Sequence, residues 1–263
     1  MKNLEKTKLA IIGGTGFEKL SKGVKPLKIK TPYGLVNSLF VSEIAEHRIV
    51  FLPRHGLDHS VPPHMINYRA NIYALYKIGV ERIVATNAVG AIDNGIRPGD
   101  VVVPHDFIDF TKHRCGTFYD KVPVTHVDVS QPYCPEIRRL LIDTAKKSGL
   151  NVWDHGVLVC TEGPRYETPA EIEMFRHAGC DIVGMTAFPG AVLARELELC
   201  YASICYVSNR AAGMQERLTV SELSEISKQA LPKIEKVLTE TAKRLPTKRH
   251  ELCATALKNA RFK

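Results

Sequence analysis

Short apolar runs alternate with amphipathic segments along most of the chain. Apolar runs bounded by Gly or Pro are typical of buried strands, and apolar residues spaced three and four apart are typical of helices. We predict strands within residues 9–12, 27–53, 81–86, 100–104, 156–160, 181–185 and 201–207. We predict helices at residues 67–78, 135–147, 170–179 and 191–199, and a long final helix that begins at a capping-box pattern in residues 219–222.

Strands that alternate with helices favour an α/β fold with a largely parallel sheet. We therefore expect one α/β domain, residues 1–244, with a central mixed, largely parallel twisted β-sheet flanked by helices. No low-complexity linker or internal repeat interrupts this pattern before residue 245. The segment 245–263 is expected to be a basic C-terminal extension, and the sequence leaves open whether it is a docked helix or disordered.

Charge is concentrated at the C-terminus. The 263 residues include 36 Lys and Arg against 28 Asp and Glu, a net charge of +8. Residues 243–263 hold seven of the basic residues and one acid, Glu251, so this segment carries +6 and the rest of the chain only +2. A nucleic-acid partner for the main body is therefore not expected.

Compartment is indicated by three features of the sequence. No apolar run approaches the ~20 residues that cross a bilayer, and the N-terminus lacks the apolar stretch and small-residue cleavage site of a signal peptide. The seven cysteines are odd in number and include no CxxC pair, as expected for reduced thiols. We expect a cytoplasmic protein without a membrane partner.

The first candidate site motif is the Gly-rich segment IIGGTGFEKL, residues 11–20. A strand followed by such a turn presents backbone N–H groups to an anion, and the Thr15 hydroxyl adds a further donor. The segment lacks the third Gly of a dinucleotide fingerprint and the Gly-Lys-Ser/Thr of a P-loop. The residues alone leave open an ordinary tight turn and a phosphate-binding loop.

The second motif, PRHGLDHSVPPH at residues 53–64, contains Arg54 and three histidines, His55, His59 and His64. The histidine spacing fits no familiar zinc pattern, which makes a metal site the weaker interpretation. Arg54 and His55 together suit a dianion, because arginine offers a planar fork of donors and histidine one more.

Further polar segments follow predicted strands, where ligands bind in open α/β sheets. These segments are TNAVG (86–90), TEGPRYETPAE (161–171), VGMT (183–186) and SN (208–209). In the second of these, Tyr166 could stack on a ring and Glu167 could accept an N–H, while Thr168 and Glu171 fit a helix cap. No GxSxG elbow or catalytic cysteine signature is present, so covalent catalysis is disfavoured.

Taken in order, GGTG, PRHG, NYRANI, TNAVG, EGPRYET, VGMT and SN resemble the motifs of the trimeric purine nucleoside phosphorylases, a family that includes the methylthioadenosine phosphorylases. The resemblance covers roughly residues 8–240. It implies transfer of a ribosyl group from a purine to inorganic phosphate, with no metal and no cofactor. It also implies a homo-oligomer, a trimer or a dimer of trimers, in which His113 or Phe118 could reach a neighbouring site.

The resemblance also implies roles for individual residues. Phosphate would be held by Thr15, Arg54, His55, the backbone of Ala88, and Thr186, and the sugar would contact Met185. Tyr166, Glu167 and Asn209 would bind the base, with Asn209 and His55 the expected catalytic residues. Phosphate supplies the nucleophile, and a donor near N7 of the purine stabilises the departing base.

Asn209 and Glu167 indicate which purine base the resemblance implies. Relatives that act on 6-aminopurines usually have Asp where this chain has Asn209, and lack an acid where it has Glu167. Asn209 can donate to O6 or N7, and Glu167 can accept from N1–H, so the pair resembles the branch that acts on 6-oxopurines.

The sequence TVSEL at the start of the final helix bears on the sugar. A histidine that bonds the 5′-hydroxyl often lies there in enzymes for ordinary nucleosides, whereas Val220 and Leu223 would form an apolar wall. We therefore expect 5′-methylthioinosine as the preferred substrate, with inosine and guanosine weaker. The alternative is a methylthioadenosine phosphorylase that releases adenine.

One segment departs from the family pattern. The family commonly has Pro-Glu where this chain has Pro189-Gly190, so the nearby Arg195 loses a possible partner.

Two other functions compete with phosphorolysis. A metal-dependent nucleoside hydrolase would use the histidines of residues 55–64 and would need no phosphate. A binding module would use the basic tail to bind RNA or an acidic surface in a salt-sensitive way.

Overall fold

Strands and helices follow one another along the chain largely in the predicted order. A computed structural model describes residues 8–14, 17, 23–44, 47–216 and 220–262, with the backbone alone for 220–224. The strands are β1 (Leu9–Gly13), β2 (Leu27–Thr31), β3 (Gly34–Ile44), β4 (His47–Pro53), β5 (Arg82–Ala91), β6 (Val101–Val102), β7 (Asp106–Phe110), β8 (Val152–Trp153), β9 (Val157–Thr161), β10 (Ile182–Gly184) and β11 (Cys200–Arg210). The helices are α1 (Tyr68–Lys77), α2 (Pro135–Lys147), α3 (Pro169–His177), α4 (Gly190–Glu196), α5 (Val220–Arg244) and α6 (Glu251–Ala254).

The strands form one mixed, largely parallel sheet, which confirms the predicted fold class. Its main path is β2-β3-β4-β1-β5-β10-β9-β7, and β11, β6 and β8 branch from β5. The antiparallel pairs are β2–β3, β3–β4, β5–β10 and β6–β11, and the other pairs are parallel.

Three strands pair with β5, which makes it the centre of the sheet. β11 runs parallel along the whole of β5 and occupies one edge. On the other edge, β1 pairs with residues 82–85, and β10 pairs only with residues 90 and 91. Residues 86–89 therefore have no described strand beside them on that edge, and the sheet opens there.

The core lies on both faces of the sheet because successive strand residues point to opposite sides. Leu9 and Ile11 of β1 belong to a core cluster with residues of α2 and α5. Ala10 and Ile12 belong to a second cluster with residues of α1 and α4. The molecule is thus a sheet between helical layers.

The predicted ends of the helices are largely confirmed. α2 has the predicted bounds. The predicted capping box before α3 is also present: the Thr168 side chain accepts from the Glu171 N–H at 3.1 Å, and the Glu171 carboxylate accepts from the Thr168 N–H at 2.7 Å. α4 is shorter than predicted because the chain turns at Glu198, which has a φ of 56°. In the capping box predicted before α5, Thr219 lies outside the described residues.

Helix α5 is amphipathic. Ile234, Val237 and Leu238 are buried in the core, and Lys233 and Lys236 are exposed. None of the helices in the described part of the chain combines the length and the apolar composition needed to cross a membrane.

The C-terminal tail packs against the domain. Buried Arg82 donates from Nη2 to the Pro246 carbonyl at 2.6 Å, and buried Arg195 donates from Nη1 to the Leu252 carbonyl at 3.0 Å. Cys253 of α6 is 1% exposed and belongs to the core cluster of α2 and α5. Of the two forms that the sequence leaves open for the tail, the structure shows the docked one.

Candidate active site

A cavity of about 620 Å³ opens beside the unpaired stretch of β5. Its wall includes every predicted site residue whose side chain the structure describes: Arg54, His55, Ala88, Tyr166, Glu167, Met185, Thr186 and Asn209. Thr15 lies outside the described residues, and for Val220 and Leu223 the backbone alone is described, in the first turn of α5.

The sheet brings these residues together from distant parts of the sequence. β1 and β4 are parallel and end side by side at Gly13 and Pro53, so Gly14 and Arg54 follow them into the same edge of the cavity. β9 and β10 are also parallel, and the segments that follow them contribute Glu167 and Thr186. Carboxyl ends of neighbouring parallel strands form the binding crevice of α/β sheets.

Arg54 gives one end of the cavity a buried positive charge. The residue is 6% exposed, and it donates from Nη1 to the Ile12 carbonyl at 3.3 Å and from Nη2 to the Thr86 carbonyl. Among the described residues, no carboxylate lies within ion-pair distance of Arg54, and its Nε has no hydrogen-bond partner. Burial lowers the pKa of Arg54, which means that the charged form lacks compensation. An anion would supply that compensation.

Gly14 lets the backbone of the Gly-rich segment approach this arginine. A Cβ at position 14 would lie 2.5 Å from Arg54 Nη2. The Gly14 N–H donates to Thr86 Oγ1 at 3.3 Å, which ties the turn to β5. A side chain at this position would displace the guanidinium.

His55 is a neutral imidazole in the cavity wall. Its Nδ1 lies 2.9 Å from the Val61 carbonyl, so Nδ1 carries the proton and Nε2 is left as an acceptor. Burial and the adjacent Arg54 charge lower the pKa of His55 to about 3. The ring of His59 stacks on it with centroids 4.2 Å apart.

The other end of the cavity holds Asn209 in a defined orientation. Its Oδ1 accepts from the Ser208 hydroxyl at 2.7 Å, and its Nδ2 donates to the Arg210 carbonyl at 2.7 Å. An amide nitrogen has two hydrogens, so one N–H remains for a ligand. An aspartate in this place would set a carboxylate oxygen against the Arg210 carbonyl.

Among the described residues, Glu167 is fixed by a single donor. Thr161, at the end of β9, donates from Oγ1 to Glu167 Oε1 at 2.6 Å. The second carboxylate oxygen is left to accept from a ligand. Neighbouring Tyr166 is 41% exposed, and partial burial and the Glu167 charge raise the pKa of its hydroxyl, which stays protonated.

Met185 and Thr186 lie between the two ends. Thr186 donates from Oγ1 to Asn87 Oδ1 at 2.9 Å, and Asn87 donates from Nδ2 to Ser203 Oγ at 2.5 Å. Gly163, with a φ of 66°, brings its backbone against Met185, because a Cβ there would lie 2.7 Å from the thioether sulfur. The loop that carries Glu167 thereby packs against Met185, which lines the cavity.

The sequence profile of the phosphorylase superfamily matches residues 8–243. The chain belongs to this superfamily. The match covers the whole sheet and every described residue of the cavity wall.

Individual members of the superfamily resemble the chain over nearly its full length. It is 48% identical over 258 residues to a probable S-methyl-5′-thioinosine phosphorylase of Methanopyrus kandleri, with 97% of this chain and 99% of the relative covered. It is 47% identical over 262 residues to the 6-oxopurine nucleoside phosphorylase of Pyrococcus furiosus, with coverage of 96% and 98%. The crystal structure of a methylthioadenosine phosphorylase from an antarctic soil metagenomic library superposes with a TM-score of 0.88 at 32% identity, covering 98% of this chain and 93% of the other.

Several residues that build this cavity were not predicted as site residues from the sequence. Thr86, Asn87, Thr161 and Ser208 each adjoin a predicted site residue or motif, and each makes one of the hydrogen bonds that define the cavity. Their position inside the motifs was the available signal. Helix α5 also contributes side chains that no motif announced: Ser227, Lys228 and Leu231.

The three histidines of residues 55–64 do not converge. Among the described residues, their ring nitrogens do not form a group of three ligand atoms close enough to hold one metal ion. His55 and His59 instead stack face to face at the cavity wall.

The departure at Gly190 lies at a close contact inside the domain. Gly190 begins α4, and a Cβ there would lie 3.0 Å from the Tyr201 hydroxyl. Arg195 is 3% exposed and donates to the backbone carbonyls of Gln131 and Leu252. Neither Gly190 nor Arg195 lines the cavity.

Proposed function

We propose that this chain is a purine nucleoside phosphorylase that cleaves the N-glycosidic bond of 6-oxopurine nucleosides with inorganic phosphate. Its preferred substrate is 5′-methylthioinosine, and its products are hypoxanthine and 5-methylthioribose 1-phosphate. The proposal rests on one observation: a single cavity holds the buried guanidinium of Arg54, the oriented amide of Asn209 and the carboxylate of Glu167. Arg54 has no carboxylate partner among the described residues. The names of relatives at 47–48% identity support the proposal.

Arg54 and His55 bind phosphate in this proposal. Arg54 provides the charge that compensates the dianion, and neutral His55 accepts at Nε2 a hydrogen bond that the P–OH group of monohydrogen phosphate donates. The backbone of Ala88 and the side chain of Thr186 complete the anion site with Thr15. The same phosphate supplies the nucleophile, so the reaction requires no metal or organic cofactor.

Asn209 and Glu167 bind the base. Bond cleavage leaves positive charge on the sugar and negative charge on the departing purine. The free N–H of Asn209 stabilises that negative charge at N7 or O6, and oriented donors of this kind are typically worth about 3 kcal/mol. The free oxygen of Glu167 accepts from N1–H, which a 6-oxopurine has and adenine lacks.

The sugar lies between these two ends, against Met185, with Tyr166 over the base. Val220 and Leu223 provide an apolar wall for the 5′-methylthio group. The placement of α5 supports this role, since Leu231 of the same helix lines the cavity.

The second candidate is a methylthioadenosine phosphorylase. Solved structures of that name superpose on this chain with TM-scores of 0.86 to 0.88. They are 31–32% identical to it, well below the relatives named for 6-oxopurines. Glu167 and Asn209 are the residues that favour the 6-oxopurine reaction.

We further propose that the enzyme works as a homotrimer or a hexamer in which His113 completes a neighbouring site. His113 is exposed and lines a second cavity of about 200 Å³, which shares Glu167 with the first. The other candidate, Phe118, packs inside its own chain against Tyr33 and Tyr73, with ring centroids 5.0 and 5.9 Å away.

We place this activity in purine salvage in the cytoplasm. The reaction recovers a free purine base from a nucleoside, which is a salvage reaction by its chemistry. The seven cysteines, none in a disulfide, support a reducing compartment.

The reaction type is tested by supplying 5′-methylthioinosine with and without phosphate, with products followed by chromatography and phosphorus NMR. We expect hypoxanthine and a sugar 1-phosphate only when phosphate is present, and no effect of a chelator. Hypoxanthine release without phosphate, or its loss with a chelator, would instead support the hydrolase.

A further inference from the structure

Three buried cysteines meet where the C-terminal tail docks on the domain. The sulfur atoms of Cys134, Cys200 and Cys253 all lie within 4.8 Å of one another. The residues are 0%, 0% and 1% exposed, and none is in a disulfide. They come from three separate elements, since Cys134 precedes α2, Cys200 begins β11, and Cys253 lies in α6 of the tail.

The local backbone favours a thiolate at Cys134. This residue is the N-cap of α2, where the helix presents unpaired N–H groups. The neighbouring thiols of Cys200 and Cys253 and the nearby backbone N–H groups of Ile137 and Glu136 lower the pKa of the Cys134 thiol. The three sulfurs therefore converge at the N-terminus of α2.

The number of ligands limits the cations that could bind. In the part of the chain that the structure describes, no His, Asp or Glu ligand atom joins the three sulfurs within the same distance. Structural zinc sites are closed by four ligands in a tetrahedron. Soft thiolate sulfur favours soft cations such as Cu(I), and Cu(I) also accepts three ligands.

Positive charge beside the cluster offsets the thiolates. Arg82 is 2% exposed and lies close enough to Cys200 for its charge to act on the thiol. The Arg82 Nε has no hydrogen-bond partner among the described residues, and Nη2 holds the tail carbonyls of Pro246 and Lys248 at 2.6 and 2.9 Å. The N-terminus of α2 adds its partial positive charge.

We propose that Cys134, Cys200 and Cys253 form a three-thiolate site for a soft monovalent cation of the Cu(I) class, which fastens the C-terminal tail to the domain. One Cu(I) binds the three sulfurs as thiolates, the three thiol protons pass to solvent, and neither sulfur nor copper changes oxidation state. Because Cys253 reaches the cluster only when the tail is docked, cation binding and tail docking are coupled.

The test is an anaerobic titration of the reduced full-length protein with Cu(I) in competition with a chromogenic chelator. We expect one tightly bound Cu(I) per chain, an ultraviolet thiolate-to-copper charge-transfer band, and three sulfur neighbours in copper-edge X-ray absorption. Hydrogen exchange of the amides of residues 246–256 should slow when Cu(I) binds.

Variants assign the site. Cys253→Ala should weaken Cu(I) binding by more than about 100-fold, since loss of a ligand should exceed the 10–100-fold typical of outer partners. The matched control is Cys180→Ala, which removes a buried cysteine of another core cluster and should bind as the wild type does.

Three results would overturn the proposal. These are Cu(I) binding that is equally tight in the Cys253→Ala protein, X-ray absorption with fewer than three sulfur neighbours, or a disulfide between two of these cysteines in protein isolated without oxygen. The X-ray absorption measurement on wild-type protein remains decisive even if the Cys253→Ala variant fails to fold.

Discussion

Within the described part of the chain, one carboxylate oxygen of Glu167 accepts from Thr161 and the other has no donor. In Glu167→Gln, the Thr161 hydroxyl would still donate to the side-chain oxygen and would leave the NH₂ group toward the base. That group opposes N1–H of hypoxanthine but matches the bare N1 of adenine. We expect kcat/KM for 5′-methylthioinosine to fall by about 100-fold, with that for methylthioadenosine unchanged or higher.

The control for this variant is Glu173→Gln, an exposed carboxylate that pairs with Arg176 away from the cavity. It should leave both substrates unaffected. If Glu167→Gln lowers kcat/KM equally for both nucleosides, Glu167 does not read the base.

His55 gives a pH-dependent contribution to stability. Burial lowers the pKa of His55 to about 3 in the folded protein, against 6.5 for the free group. The unfolded chain therefore binds more protons between these values, and stability must fall as the pH drops from about 6.5 toward 3. In denaturant titrations from pH 7 to about pH 4, His55→Asn should lose less stability than the wild type.

The matched control is His177→Asn, whose histidine side chain is 69% exposed. It should follow the wild-type pH dependence. A His55→Asn protein with that same dependence would show that His55 is not held neutral.

At the scale of elements, the start of α3 fixes the loop that carries the base-binding residues. Thr168 follows Glu167 directly and forms the capping box. Thr168→Ala should cost about 1 kcal/mol of stability, the usual value of an N-cap. Because the cap also anchors Glu167, we expect a higher KM for the nucleoside and an unchanged KM for phosphate.

Thr255→Ala serves as the control, because it removes an exposed hydroxyl that bonds the Glu251 carbonyl in the tail. It should change neither KM. If Thr168→Ala lowers stability without raising the nucleoside KM, the cap does not position the site.

The periodicity of apolar residues predicts whether a segment is a strand or a helix, but it does not predict where a strand ends or where a bulge interrupts it. β11 was predicted at residues 201–207, but it continues to Arg210 with a bulge between Val207 and Asn209. The bulge inserts Ser208, so that Ser208 and Asn209 both line the cavity although they are consecutive. Strand β7 was missed because two of the five residues in its sequence, DFIDF, are acidic and three are exposed.

At the scale of the molecule, the tail completes the fold. A chain that ends at Leu245 would lose the carbonyls that Arg82 and Arg195 bind, and would leave two buried guanidinium groups without those acceptors. Each unsatisfied buried group costs about 1–3 kcal/mol. We expect truncation to lower the free energy of unfolding by at least about 2 kcal/mol.

Lys248→Ala and Lys258→Ala are the controls, because both side chains are exposed and the backbone carbonyls remain. They should retain wild-type stability. A truncated chain as stable as the wild type, with salt-sensitive RNA binding lost, would favour the binding-module hypothesis for the tail.

The docking of the tail could not be predicted from the sequence. Its acceptors are backbone carbonyls, which every residue carries, so no side-chain pattern marks them. The motifs around Arg54, Glu167 and Asn209 are recognisable because their chemistry lies in side chains. The gap in the sheet beside β5 depends on strand pairing and could not be located from residue types.

The central claim is that this cavity selects a 6-oxopurine with a 5′-methylthio group. The most direct measurement is kcat/KM for 5′-methylthioinosine, inosine, guanosine, methylthioadenosine and adenosine at saturating phosphate. The claim predicts the highest value for 5′-methylthioinosine and a value for methylthioadenosine at least about 100-fold lower. A higher value for methylthioadenosine than for 5′-methylthioinosine would contradict it.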